Sequence, residues 1–263
     1  FILLKFKPDV VVGTGGFASG PLLFIAGVLK IPTLIQEQNS YPGITNKLLS
    51  KTVKTIAVAY QGLDRFFPKE KLNLTGNPIR KSITEGKLSP TKAKAFFKQI
   101  PGIPTLVVLG GSMGAKRINQ LIATHLDTFE KQGLQLIWQC GSLYYDQYKK
   151  HQSERVKIMS FVAEIDKLYA AADMVISRSG AATLSELCCT ARPVLLVPSP
   201  NVAENHQYHN AMALANKGAA LVITEKDLDL NFPKYFKLLL DRKKRNEMSK
   251  SLKALAQPNA TAK

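Results

Sequence analysis

The chain repeats one unit: an apolar run rich in β-branched residues, a turn of small residues, then a helix-forming stretch. Val10–Val12 leads through Gly13-Thr14-Gly15-Gly16 into a helical stretch at Gly20–Leu29. Thr105–Leu109 leads through Gly110-Gly111-Ser112-Met113-Gly114 into Ala115–Phe129, and Met174–Ser177 leads through Arg178-Ser179-Gly180 into Ala182–Thr190. Uninterrupted apolar strands between amphipathic helices belong to parallel sheets covered on both faces. The fold class predicted from this alternation is α/β, with two Rossmann-like, doubly wound units.

Other segments extend both series. The first continues through strand Pro32–Ile35, helix Ile44–Lys51 and strand Thr55–Ala59. The second continues through strands Leu134–Gln139 and Lys157–Phe161, helix Ile165–Ala172, strand Val194–Val197, helix Asn205–Lys217 and strand Ala219–Ile223. Between them, Leu74–Arg80 is turn-rich and Lys81–Gln99 is basic and mostly polar, with Pro101, Gly102 and Pro104 just before the next strand. The expected division is a first unit over 1–80, a linker region over 81–103 and a second unit over 104–263.

Charge narrows the partners. Lys and Arg number 36 against 19 acidic residues, a formal net charge of +17, which favours an anionic ligand or surface. Zinc-ligand spacing and aromatic-interleaved RNA motifs are absent from the sequence, so nucleic acid is not an expected partner. Three cysteines, two of them adjacent, make no disulfide framework and fit a reducing compartment. The opening FILLKFKPDVVV carries no Met and reads as the tail of an apolar helix, so the expectation is a chain lacking part of its first unit.

The turns carry the chemistry. A helix N-terminus leaves backbone N–H groups unpaired and presents the positive end of its dipole, which suits a diphosphate. In Met174–Glu186 such a helix start is followed by Glu186, a carboxylate able to accept hydrogen bonds from ribose hydroxyls. Gly110–Arg117 offers a second phosphate-binding turn. The first turn is ambiguous. Gly13-x-Gly15-x-x-Ala18, with Glu37 about 20 residues on, also fits the dinucleotide fingerprint and leaves an NAD-dependent oxidoreductase as the alternative.

Six motifs in order resemble the MurG family, the N-acetylglucosaminyltransferases of peptidoglycan synthesis. They are GTGGFASGP at Gly13–Pro21, QEQNSYPGITNKLLSK at Gln36–Lys51, GNPIR at Gly76–Arg80, GGSMGAKRIN at Gly110–Asn119, SRSGAATLSE at Ser177–Glu186 and ENHQYHNA at Glu204–Ala211. The resemblance implies two Rossmann-like domains of the GT-B type. It also implies transfer of N-acetylglucosamine from UDP-GlcNAc to the C4 hydroxyl of the muramyl sugar of lipid I, giving lipid II. It places the protein peripherally at the cytoplasmic face of the bacterial plasma membrane. The implied partners are UDP-GlcNAc, lipid I, the anionic inner-membrane surface and other cell-wall synthesis proteins, with no cofactor and no metal.

By matching position, the resemblance gives Asn39 to the donor sugar, Arg80 to the nucleotide and Ser112 to the donor phosphates. It gives the Val162 backbone to uracil, Ala181, Ala182, Thr183, Leu184 and Ser185 to the diphosphate, Glu186 to the ribose and Gln207 to a GlcNAc hydroxyl. Gly13, Thr14, Gly15 and Gly16 are expected at the acceptor diphosphate. Passing from an α-linked donor to a β1,4 linkage inverts the anomeric carbon, so the expected step is one in-line displacement. No DxD-type metal pair occurs, so helix N-termini and Arg80 are expected to stabilise the departing UDP. The family's candidate base, a histidine on a further glycine turn, has no counterpart in this sequence, and Glu37 is the retained carboxylate considered for that role. Donor binding is thus expected to persist in this chain and transfer to be lost. The sequence departs from the family's usual pattern at SMGAKR, where SQGAR is common, and at the first position of QEQN.

Overall fold

The computed structural model describes residues 1–86 and 88–263. Among the described residues ten strands form two wholly parallel sheets. The first contains β1 (Val11–Gly13), β2 (Thr33–Glu37), β3 (Thr55–Val58) and β4 (Leu72–Leu74), in that spatial order. The second contains β5 (Thr105–Leu109), β6 (Gln135–Gln139), β7 (Val156–Met159), β8 (Met174–Ser177), β9 (Val194–Leu196) and β10 (Leu221–Val222).

The second sheet is covered on both faces, as its continuous apolar strands require. Along β5, Leu106 and Val108 enter one core and Val107 and Leu109 the other, because successive side chains point to opposite faces. Its order is β10-β9-β8-β5-β6-β7. The chain therefore runs outward from β5 through β6 to β7, returns to lay β8 on the other side of β5, and continues outward to β10. The reversal lies between β5 and β8. Their C-terminal ends diverge into separate loops there, the place where open parallel sheets form a ligand crevice.

The first sheet differs from the expectation of two covered faces. Val11 packs inward with Leu23, Ala26, Ile35 and Ile56, whereas Val12 is 59% exposed. Helices Ser19–Val28 and Ile44–Leu49 supply Leu23, Ala26 and Leu49 to this single core.

Element boundaries follow the sequence closely where strands are buried, and less so elsewhere. The stretch Ala115–Phe129 divides into helices Lys116–Thr124 and Leu126–Lys131, interrupted at His125, whose ψ of 12° is not helical. β4 falls at the edge of the turn-rich region and was not anticipated, since Leu-Asn-Leu is short and partly exposed. The segment 81–103 carries helices Lys81–Glu85 and Pro90–Phe96 and places Ile83, Ala93 and Phe97 in a core of the second sheet. The second helix begins on Pro90, with the Ser89 side chain accepting from the Lys92 N–H.

Two further helices, Leu228–Leu240 and Arg242–Leu255, lie beyond the sequence-predicted elements. The second contributes Met248 and Leu252 to the same core as helix Ala181–Thr190. The chain then reaches the first sheet, where Gln257 and Ala260 lie against Gly76, and the Thr261 hydroxyl donates to the Ile79 carbonyl at 3.5 Å. Among the described residues no helix is long and apolar enough to cross a membrane.

Candidate functional site

The principal cleft lies at the β5/β8 reversal and has a volume of about 560 Å³. One wall is the turn after β5, with Gly110, Gly111 and Ser112; the other is the turn after β8, with Arg178 and Gly180. Helix Ala181–Thr190 opens on Gly180, whose extended backbone precedes the first turn without a side-chain cap. The Leu184 N–H already donates to the Gly180 carbonyl at 3.0 Å. The amides of Ala181, Ala182 and Thr183 thus remain for an anion at the positive end of the helix.

Glu186 enters this cleft from the next turn. Its Oε2 accepts a hydrogen bond of 2.9 Å from the Tyr169 hydroxyl. Burial pushes the Glu186 carboxyl above its ordinary range, while the Tyr169 hydrogen bond and the Arg80 charge act the other way. Arg80 borders the cleft and its Nη1 donates to the Ala163 carbonyl at 3.3 Å, tying the segment before helix Lys81–Glu85 to the loop after β7.

The glycine turn after β5 is held by interlocking backbones. Gly114 has φ of +88°, and a Cβ there would lie 2.2 Å from the Cys140 carbonyl oxygen. Gly141, opposite it, has φ of +89° and would place a Cβ 2.2 Å from the Gly114 Cα. Both positions therefore require glycine. Gln139 fastens the same turn: its Oε1 accepts from the Gly110 N–H at 3.1 Å, and its Nε2 donates to the carbonyls of Gly111 at 2.7 Å and Ser160 at 3.1 Å.

A second cleft, of about 330 Å³, opens beyond β1 and β2 and is bordered by Thr14, Gly15, Gly16, Glu37, Asn39 and Tyr41. Glu204 and His206 border it from the second domain. Glu37 is only 3% exposed. Its Oε1 accepts from the Asn39 N–H at 2.9 Å and Asn39 Nδ2 at 3.2 Å, and its Oε2 accepts from the Gly43 N–H at 3.1 Å and Asn46 Nδ2 at 2.8 Å. Both oxygens are engaged in shaping the 38–43 loop. This geometry withdraws support from Glu37 as a base, and equally as the ribose-binding carboxylate of an NAD site.

The cleft at the reversal gathers Arg80, Ser112, Val162, Ala182, Thr183, Glu186 and Gln207 from separate parts of the sequence. Gln207 Oε1 also accepts from the Ser199 N–H at 2.9 Å, which fixes the amide. Of the other expected residues, Ala181 opens the helix between the lining residues Gly180 and Ala182 without lining the cleft itself, and three sit elsewhere. Leu184 is fully buried in the core. The Ser185 hydroxyl meets Asn77 Nδ2 at 3.1 Å, on the side of the helix turned from the cleft. The helical spacing explains this: at about 100° per residue, 184 and 185 point roughly 155° and 105° away from the middle of the face carrying 182, 183 and 186. Asn39 borders the second cleft, where its Oδ1 accepts from Asn210 Nδ2 at 2.9 Å.

Sequence reasoning missed Gln139, Tyr169 and Asn210. Gln139 and Asn210 are buried polar side chains in otherwise apolar surroundings, a signal visible only once their burial is known. Tyr169 had the look of a plain core aromatic within an Ala-rich helix.

Two parallel sheets, a crevice at the strand reversal and an uncapped helix start beside a carboxylate define an α/β transferase of the nucleotide-sugar class. Residues 105–262 match the C-terminal domain of glycosyltransferase family 28, and residues 1–58 match its N-terminal domain. The chain is 53% identical over 262 residues to a Flavobacterium psychrophilum protein named UDP-N-acetylglucosamine--N-acetylmuramyl-(pentapeptide) pyrophosphoryl-undecaprenol N-acetylglucosamine transferase, covering 99% of this chain and 71% of that protein. A Christiangramia forsetii protein of the same name is 50% identical, with 99% of this chain and 72% of the relative covered. The crystal structure of Acinetobacter baumannii MurG superposes with a TM-score of 0.80 at 28% identity, covering 99% of this chain and 73% of that one. The chain belongs to glycosyltransferase family 28 and, within it, to the MurG family. A Staphylococcus aureus MnaA–UDP structure shares the fold, with a TM-score of 0.73 at 12% identity over 99% of this chain and 74% of that one. The relatives are transferases, and nothing supports the oxidoreductase alternative.

Proposed function

We propose that this chain supplies the donor-binding side of the transfer of N-acetylglucosamine from UDP-GlcNAc to the C4 hydroxyl of lipid I, the reaction that forms lipid II for peptidoglycan synthesis. The observation that carries this reading is the joining, in one cleft, of the helix amides at Ala182 and Thr183, the Glu186 carboxylate and the Gly110–Ser112 turn. Uncapped amides suit the diphosphate, the carboxylate suits the ribose diol, and the buried Val162 beside exposed Phe161 suits the flat face and edge of uracil.

The chemistry follows from where charge develops. When the acceptor oxygen displaces UDP from the anomeric carbon, negative charge grows on the β-phosphate oxygen. Preorganised amides at the start of helix Ala181–Thr190 and the Arg80 guanidinium meet that charge without reorganisation. Across the interdomain boundary, the Gly13–Gly16 turn offers backbone to the acceptor diphosphate, with Gly15 and Gly16 both at positive φ. The net charge of +17 and the apolar side chains exposed near the first sheet, Phe17, Phe24 and Val28 among them, support peripheral docking on the anionic cytoplasmic face of the plasma membrane.

The test is calorimetric titration of the purified chain with UDP-GlcNAc, with NADH as the parallel ligand. Saturable UDP-GlcNAc binding without an NADH response is the expected result. A folded chain that responds to NADH alone, or to neither ligand, overturns the reading.

A further inference from the structure

Tyr169 is fully buried on helix Ile165–Ala171, within the core that β5, β8 and helix Ala181–Thr190 share. Its hydroxyl nevertheless reaches the edge of the principal cleft and donates to Glu186 Oε2 at 2.9 Å. Among the described residues Glu186 Oε1 has no hydrogen-bond partner, and Glu186 itself borders the cleft. A ring enclosed on all sides holds its hydroxyl at one point, so the bond fixes the carboxylate's rotation as well as its place. The phenol is a dependable donor, because burial first and the Glu186 charge second hold its ionisation well above the ordinary range.

We propose that Tyr169 is the positioning residue of the donor site: by holding Oε2 of Glu186 it presents Oε1 to the hydroxyls of the nucleoside sugar and makes the cleft selective for nucleoside diphosphates that carry the ribose diol over those that lack it. This rests on the reading of the cleft as a UDP-sugar site and adds to it the source of ribose selectivity. A carboxylate free to rotate offers hydrogen bonds to water as readily as to a diol. A carboxylate pinned through one oxygen is prearranged for the ligand and loses less freedom on binding.

The experiment compares UDP with 2′,3′-dideoxy-UDP, each titrated into the unaltered chain and into Tyr169→Phe, a change that retains the ring and its packing. UDP is expected to bind the unaltered chain on the order of tenfold or more tightly than the dideoxy ligand. In Tyr169→Phe the UDP advantage should shrink by roughly that factor while dideoxy-UDP affinity stays the same. Equal weakening of both ligands would make Tyr169 a shaping residue only and overturn the proposal, as would a variant that binds UDP unchanged. Measurements on the unaltered chain alone are also decisive: failure to distinguish UDP from dideoxy-UDP removes the proposal even if Tyr169→Phe does not fold. Absence of UDP binding altogether would instead bring down the donor-site reading, and this inference with it.

A pH series gives a second readout. The titratable and charged groups facing Glu186 are Tyr169 from helix Ile165–Ala171, Arg80 from the segment before helix Lys81–Glu85 and Cys189 from its own helix. Removing the Tyr169 hydroxyl takes away the stronger of the two influences that favour the charged carboxylate. The acid limb of UDP affinity is therefore expected to move to higher pH in Tyr169→Phe, and an unmoved limb would contradict the proposal.

Discussion

Glu186 makes the sharpest demands on a single side chain. Its replacement by Ala should weaken UDP binding by about 1–3 kcal/mol, the usual cost of losing hydrogen bonds to a charged group, as read by calorimetry. Unchanged affinity would take Glu186 out of the site. The pH dependence has a definite sign. Because burial raises its carboxyl above the ordinary range, the proton returns at milder acidity than on a free Glu. Ribose binding needs the anion, so UDP affinity should fall as pH drops through that raised value, which a series of dissociation constants would trace. For folding the sign is opposite. A Glu whose folded pKa exceeds its unfolded one binds its proton more tightly when folded, so this group favours the folded state on acidification.

At the level of elements, the loop after β5 is the most constrained. Gly114→Ala would place a methyl group 2.2 Å from the Cys140 carbonyl oxygen at a backbone φ of +88°. The strained backbone alone costs about 1–3 kcal/mol, before the clash is relieved. Differential scanning calorimetry should show a lower melting temperature, and a melting temperature equal to that of the unaltered chain would argue that the turn is slack. The buried strands of the second sheet were legible because their apolar runs are uninterrupted. Thr105–Leu109 and Met174–Ser177 match their predicted limits for that reason. β4 and the division at His125 were not legible. A three-residue edge strand and a one-residue helix break carry too little periodicity to register.

At the scale of the whole molecule, polar contacts join the two halves beside the apolar packing of Tyr60 and Ile79 against the second sheet's core. Asn210 is fully buried; its Oδ1 accepts from the Ser40 N–H at 2.8 Å and its Nδ2 donates to Asn39 at 2.9 Å. Asn77 links Gln36, Gln38 and Ser185, and Tyr41 stacks on His209 with centroids 4.7 Å apart. An interface of this mixed kind, with many polar contacts, permits relative motion of the halves. Asn77→Ala combined with Asn210→Ala should increase the radius of gyration in small-angle scattering while circular dichroism keeps its helical content. An unchanged radius would show that the remaining contacts suffice.

The sequence by itself determined the class of fold, the strand–turn–helix units and the chemical types at the donor cleft, since hydrophobic period, glycine and helix-start residues act locally. Only the tertiary structure decided which strands are neighbours, and hence that the turns after β5 and β8 face each other. It also decided that Glu37 is engaged in its own loop, that Leu184 and Ser185 face away from the cleft, and that Tyr169 holds Glu186. Each of those outcomes depends on what stands opposite a side chain in space. Strand order and helix rotation set that, and neither is written in the spacing of residues along the chain.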